Sequence, residues 1–165
     1  LGLADDAVVV NVQGDEPLID PELIIATAAL VSSQTPMATV AHPIHDAKEL
    51  FNPNVVKVVL NKLGRALYFS RATMPWARDA FALDVHTMPN DYLALRHIGL
   101  YAYRNQFLQS YPQLPMSPLE QIEALEQLRV LWNGIDIAVH VTPTSPAIGV
   151  DTKEDLLRVQ QIFNV

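Results

Sequence analysis

The sequence predicts an α/β fold, a mixed and largely parallel sheet with helices on both faces. Three observations carry that reading. Residues 8–12 form a β-branched apolar run, broken only by Asn11, that stops abruptly in Gln13-Gly14-Asp15-Glu16-Pro17. Such a run fits a strand buried on both faces, and a loop just past it lies where open α/β sheets bind ligands. Strand-like and helix-like segments then alternate along the chain, and one pair of strands reads as a hairpin.

Each element has a local cause. Asp20 as N-cap and Pro21 at the first helical position start a helix that runs to about Ser32, with Ile24, Ala28 and Val31 on its apolar face. Residues 37–41 read as a strand and residues 46–50 as one helical turn. Residues 55–60 and 66–70 read as strands joined through Asn61-Lys62-Leu63-Gly64, a β-hairpin. Residues 71–90 carry Pro75, Trp76, Arg78 and Pro89 and show little periodicity. A strand region over 92–103 and a short helix over 105–111 follow. Ser117 and Glu120 make a capping box, Pro118 sits at the first helical position, and Gly134 lies past the end, so a helix is expected over 117–132. A strand over 135–141 and a closing helix over 152–163 complete the order.

Composition bounds the function classes. With 165 residues, half of them hydrophobic, the chain is long enough for one domain with a sizeable core. There is no cysteine, which excludes disulfides, thiolate metal sites and cysteine nucleophiles. A formal net charge of −7 argues against nucleic acid as a partner, and an anionic substrate would need a locally basic pocket. The sequence shows no apolar run of membrane-spanning length and no secretory signal pattern, so no membrane insertion and a cytoplasmic location are expected. The chain enters its first strand almost at once and lacks an initiator Met. It is expected to be the later part of a longer protein, the alternative being a complete small domain.

Candidate chemistry gathers in three places. The first is the carboxylate pair of the 13–17 loop. The second is Gly149-Val150-Asp151-Thr152, where Thr152 with Asp155 resembles a capping box. Asp151 alone reads as an ordinary helix start. Paired with Asp15 it could hold Mg²⁺, which takes one or two protein carboxylates plus waters and phosphates. The third is a set of basic and aromatic residues, Arg71, Arg78, Arg96, His97 and Tyr101. Clustered, they would form a positive site, with Arg suited to a planar carboxylate. On a helical wheel over 117–132, Leu119, Ile122, Leu125, Leu128 and Leu131 cover an apolar arc, and Glu120, Glu123 and Gln127 a polar face. Glu126 and Arg129 fall among the apolar residues, as a structural ion pair or as a polar pocket wall. His42 and His45 lack a third ligand at zinc spacing.

Five segments occur in one order: Asn11 through Pro17, Tyr68-Phe69-Ser70-Arg71-Ala72 with Pro75-Trp76, Arg96 through Tyr101, Ser117-Pro118-Leu119-Glu120 through Arg129, and Gly149-Val150-Asp151-Thr152. Together they resemble the 3-deoxy-manno-octulosonate cytidylyltransferases, over nearly the whole chain. The resemblance implies a nucleotide-diphospho-sugar transferase (Rossmann-like) fold, with residues 1–165 as the C-terminal part of a single domain. It implies CMP transfer from CTP to the sugar acid Kdo for lipopolysaccharide synthesis, and a homodimer with the hairpin and the Pro75-Trp76 segment at its contact. It implies Asp15 and Asp151 as the catalytic Mg²⁺ ligands. It implies that Gln13, Arg78, His97, Tyr101 and Glu126 line the sugar-acid pocket, with Arg71 close by. The family's N-terminal triphosphate-binding loop has no counterpart in these residues, so the chain alone is expected to be inactive. A sialic-acid cytidylyltransferase and a non-catalytic binding or dimerisation fragment are the alternatives.

Overall fold

The computed structural model describes residues 2–14, 17–143, 150 and 153–163, the side chain of Asp155 excepted. In chain order the elements are β1 (Val8–Asn11), α1 (Pro21–Ala29), β2 (Met37–Pro43), α2 (Ala47–Leu50), β3 (Lys57–Leu60), β4 (Ala66–Ser70) and α3 (Arg78–Phe81). β5 (Leu95–Arg104), α4 (Asn105–Ser110), α5 (Pro118–Glu123), α6 (Gln127–Trp132), β6 (Ile137–Val141) and α7 (Lys153–Phe163) follow. Among the described residues, no helix is long and apolar enough to cross a membrane.

The six strands form one sheet in the order β4-β3-β5-β2-β6, with β1 added to β5. β5 is the axis of this sheet. Its second half pairs with β1 from Val8↔Arg104 to Asn11↔Tyr101, and its first residues pair with β3. Its other edge pairs with β2. The expected mixed α/β class is what the structure has, with a difference in the ladders. β1, β2, β3 and β6 run one way, but β5 runs against them, so only β2 and β6 pair in parallel. β1 also differs from a strand buried on both faces. Its only ladder among the described residues is to β5, and Val8 is 42% exposed.

Alternation along the strands separates two apolar layers. On one face, α1 sends Leu23 and Ala28 against Val40, Ile98, Leu100 and the small Ala38, Ala102 and Ala138. On the other, α4, α5 and α6 cover the layer built around Met37, Phe69, Phe107, Leu128 and Ile137. A satellite cluster of Ile44, Leu50, Val55, Phe81 and Ala94 packs beneath the 71–90 segment. α1 starts as expected, with Asp20 accepting from the Glu22 amide at 2.9 Å, but ends at Ala29. The hairpin is present, closed by Gly64 at φ 71°, where a side chain would be strained.

The helix expected over 117–132 is two helices. The capping box and Pro118 are in place, but Ala124 adopts a left-handed conformation, φ 51° and ψ 54°, and ends α5 after Glu123. This rotates α6 relative to α5, so the wheel drawn for one helix fails. Ile122 is 80% exposed, while Glu120 and Gln127, expected on a polar face, are buried. Arg129 pairs with Glu120 at 2.5 and 2.8 Å rather than with Glu126.

Candidate functional site

β5 carries the site, and an irregularity in it does the placing. Thr39 pairs with Tyr101 whereas the next residue, Val40, pairs with Ile98, so Gly99 and Leu100 bulge from β5. Bulges of this kind re-aim side chains and occur beside active sites. His97, Tyr101 and Tyr103 form a row of rings, with centroids 5.3 Å apart for His97–Tyr101 and 6.0 Å for Tyr101–Tyr103. Gln13, from the loop after β1, lies on Gly99. A β-carbon there would meet the Gln13 amide at 3.3 Å, so glycine permits the approach.

Beside this row is a cavity of about 300 Å³ lined by Asn11, Gln13, Met37, Tyr101, Tyr103, Leu108, Tyr111, Glu126 and Gln127. Three of the expected pocket residues, Gln13, Tyr101 and Glu126, therefore meet around one space. Glu126 comes from the break between α5 and α6, and its carbonyl accepts the Tyr111 hydroxyl at 3.1 Å. Arg129 lies 5.3 Å over the Tyr111 ring and holds that wall to Glu120. Glu120 is held below its usual range, first by its hydrogen bond to Arg129.

Among the described residues, the lining holds amides, phenols and one carboxylate, with no Lys or Arg. Burial pushes the Tyr101 hydroxyl well above its ordinary range and that of Tyr103 to about 12, with the neighbouring Glu126 carboxylate acting the same way. Both phenols remain hydroxyl donors at neutral pH. The Gln127 side-chain nitrogen is buried without a hydrogen-bond partner. A buried unpaired donor is costly, so this amide is a point of strain in the wall of the cavity. This is a pocket suited to reading hydroxyl groups.

The basic residues do not gather there. Arg71 donates to the carbonyls of Glu123 at 2.7 Å and Pro53 at 3.2 Å, while its backbone N–H donates to the Glu123 carboxylate at 3.0 Å. It fastens the end of α5. Arg96 pairs with Glu49 at 2.8 Å. Arg78 is 93% exposed, with Asp79 3.6 Å away. His97 is packed edge-on against Phe69 at 5.1 Å, and burial lowers it to about 3, so its ring is neutral. Asp15, Asp151 and Thr152 lie outside the described residues. Among the described residues, no group of three or more His, Asp or Glu side chains is placed to hold a metal.

Gln127, Asn11, Thr39 and Lys57 escaped the sequence reading. Gln127 was hidden by the single-helix wheel. Thr39 is one β-branched residue in a buried strand, which carries no signal until its partners are known. Lys57 is fully buried, its ammonium donating to the carbonyls of Val55 and Arg71, both at 2.6 Å, and of Asn52 at 3.1 Å. Burial lowers its pKa, partly offset by Glu123. As the single polar residue in the apolar run 55–60, it gave no sign of that role.

Comparison with known proteins agrees with this architecture. Residues 1–137 match the family model described as cytidylyltransferase. The chain is 72% identical over 163 residues to 3-deoxy-manno-octulosonate cytidylyltransferase of Herminiimonas arsenicoxydans, covering 99% of this chain and 65% of that protein. It is 57% identical over 164 residues to the protein of the same description from Neisseria gonorrhoeae strain NCCP11945, again covering 99% and 65%. Among solved structures it resembles CMP:2-keto-3-deoxy-manno-octonic acid synthetase complexed with CTP, at 39% identity and a TM-score of 0.79, over 98% of this chain and 62% of that one. The chain thus spans somewhat under two thirds of the relatives it matches. On the family match over residues 1–137, the chain belongs to the cytidylyltransferase family.

Proposed function

We propose that residues 1–165 are the C-terminal part of a single cytidylyltransferase domain that transfers CMP from CTP to Kdo, releasing pyrophosphate, for lipopolysaccharide synthesis. The observation that carries this is the convergence of Gln13, Tyr101 and Glu126 on one cavity that Gln127 also lines. Its donors and single carboxylate suit the hydroxyls of a sugar acid. The identity to 3-deoxy-manno-octulosonate cytidylyltransferases supports the choice of sugar, and the CTP in the similar solved structure supports the nucleotide. A cytoplasmic location accords with CTP as substrate.

The reaction is attack of the Kdo anomeric hydroxyl on the α-phosphorus of CTP, with the bond to pyrophosphate breaking. Gln13, Tyr101, Glu126 and Gln127 orient the sugar, and such positioning converts a bimolecular step into an effectively intramolecular one. Arg78, exposed beside Asp79, is assigned to the sugar carboxylate. Arg71 supports the pocket wall through α5. Asp15, two residues after Gln13, and Asp151, just before α7, are assigned to Mg²⁺, which when bound neutralises charge on the phosphates. The expected homodimer is assigned to the hairpin and the Pro75-Trp76 segment, where Leu67 is 60% and Trp76 57% exposed.

Asp15→Asn and Arg78→Ala in the full-length enzyme test this reading. Asp15→Asn should abolish Mg²⁺-dependent pyrophosphate release while leaving the melting temperature unchanged. Near-normal turnover would refute the metal assignment. Arg78→Ala should raise the Kdo requirement far more than the CTP requirement. Equal effects on both would remove Arg78 from the sugar pocket.

A further inference from the structure

Thr39 is fully buried, and its hydroxyl oxygen meets three atoms. The Leu100 carbonyl is 2.8 Å away, the Ile98 carbonyl 3.2 Å, and His97 Nε2 2.9 Å. The β5 bulge turns both carbonyls toward this one side chain. A carbonyl can only accept, and a threonine hydroxyl has one proton. If that proton went to the imidazole, two carbonyl oxygens would face the hydroxyl oxygen with no hydrogen between them. The proton therefore belongs to a carbonyl, and the hydroxyl accepts from His97. His97 must carry its proton on Nε2, which leaves Nδ1 with a lone pair. Among the described residues Nδ1 has no hydrogen-bond partner, and His97 is only partly buried, so Nδ1 is open to an incoming group.

We infer that Thr39 is a positioning residue: it locks His97 in the Nε2–H tautomer, so that Nδ1 offers an acceptor beside the Tyr101 cavity and reads a hydroxyl of the sugar acid. This deepens the proposed function and rests on it. An acceptor repels a carboxylate, so the hydroxylated part of the sugar lies toward His97 and its carboxylate lies away. Among the described residues, the groups against the ring are Phe69 at 5.1 Å, Tyr101 at 5.3 Å and Thr39 itself. None is charged at neutral pH, since Tyr101 is held well above its ordinary range, and burial alone lowers His97. The tautomer therefore stays fixed across neutral pH.

The test is ¹⁵N NMR of histidine-labelled full-length enzyme, with His97→Gln to assign the signals. In the wild type, His97 should show a protonated Nε2 and an unprotonated Nδ1, unchanged from about pH 6 to 8. Kdo alone should move the Nδ1 signal, and CTP alone should not. Thr39→Val should let the two tautomers mix and raise the Kdo KM about tenfold, the scale of one lost hydrogen bond, without moving that for CTP. Thr39→Ser should restore both. A protonated Nδ1 in the wild type overturns the lock. A protonated Nε2 with no response of Nδ1 to Kdo overturns the acceptor role, and pyrophosphate release with Kdo in that same sample would show that the activity assignment survives it.

Discussion

Gly99 and Gln13 show how little room the site leaves. The Gln13 amide rests where a β-carbon on residue 99 would lie 3.3 Å from it. Gly99→Ala should push the Gln13 side chain aside by a few tenths of an ångström, since such contacts are tighter than close packing allows. The expected result is a raised Kdo KM with an unchanged melting temperature, read by steady-state kinetics and thermal unfolding. A large stability loss with normal KM would place Gln13 outside the sugar pocket. The sequence offered Gln13, Tyr101 and Glu126 as pocket residues through the resemblance of its five ordered segments to the 3-deoxy-manno-octulosonate cytidylyltransferases. It could not show that Gln127 joins them. That depends on the backbone of Ala124, a residue type with no preference for the left-handed region it adopts.

At the scale of elements, two buried polar devices hold the wall of the cavity. Lys57 ties two carbonyls of the 52–55 turn to the carbonyl of Arg71. Lys57→Met should leave those carbonyls unpaired and cost about 1–3 kcal/mol, the penalty of stranding buried polar groups, measured by urea unfolding. The Arg71 main chain is one of its partners, so the same variant should loosen the end of α5. Glu120 and Arg129 join α5 to α6 across the break. The Glu120 carboxyl lies below its ordinary 4.5 when folded, so its pair adds stability above that pH and loses it as pH falls through the lower folded value. Glu120→Gln should remove that part of the acid sensitivity in thermal melts from about pH 5 downward. Wild-type and variant curves that stay parallel would contradict the pairing. Local chemistry did foretell the capping box, the hairpin and the start of α1, because each rests on neighbours in sequence. The rewired Glu120–Arg129 pair did not show, because it needs the turn between the two helices.

Across the whole molecule, the class of fold was legible but the ladders were not. Apolar runs marked the strands, yet nothing local to residues 95–104 says that β5 runs against β1, β2 and β3. That antiparallel axis places His97, Gly99 and Tyr101 on the strand that β1, β2 and β3 all border. The hairpin leaves Leu67 and Trp76 exposed beside it. If this surface is the dimer contact, Leu67→Asp should shift the full-length enzyme to monomer by light scattering, since a buried charge in an apolar interface is costly. An unchanged dimer would move the contact elsewhere. The central claim, that this fold holds a Kdo pocket for cytidylyl transfer, is tested most directly by pyrophosphate release from CTP. Full-length enzyme with Mg²⁺ should release it with Kdo and far more slowly with a sialic acid. Release with the sialic acid and none with Kdo would contradict the account.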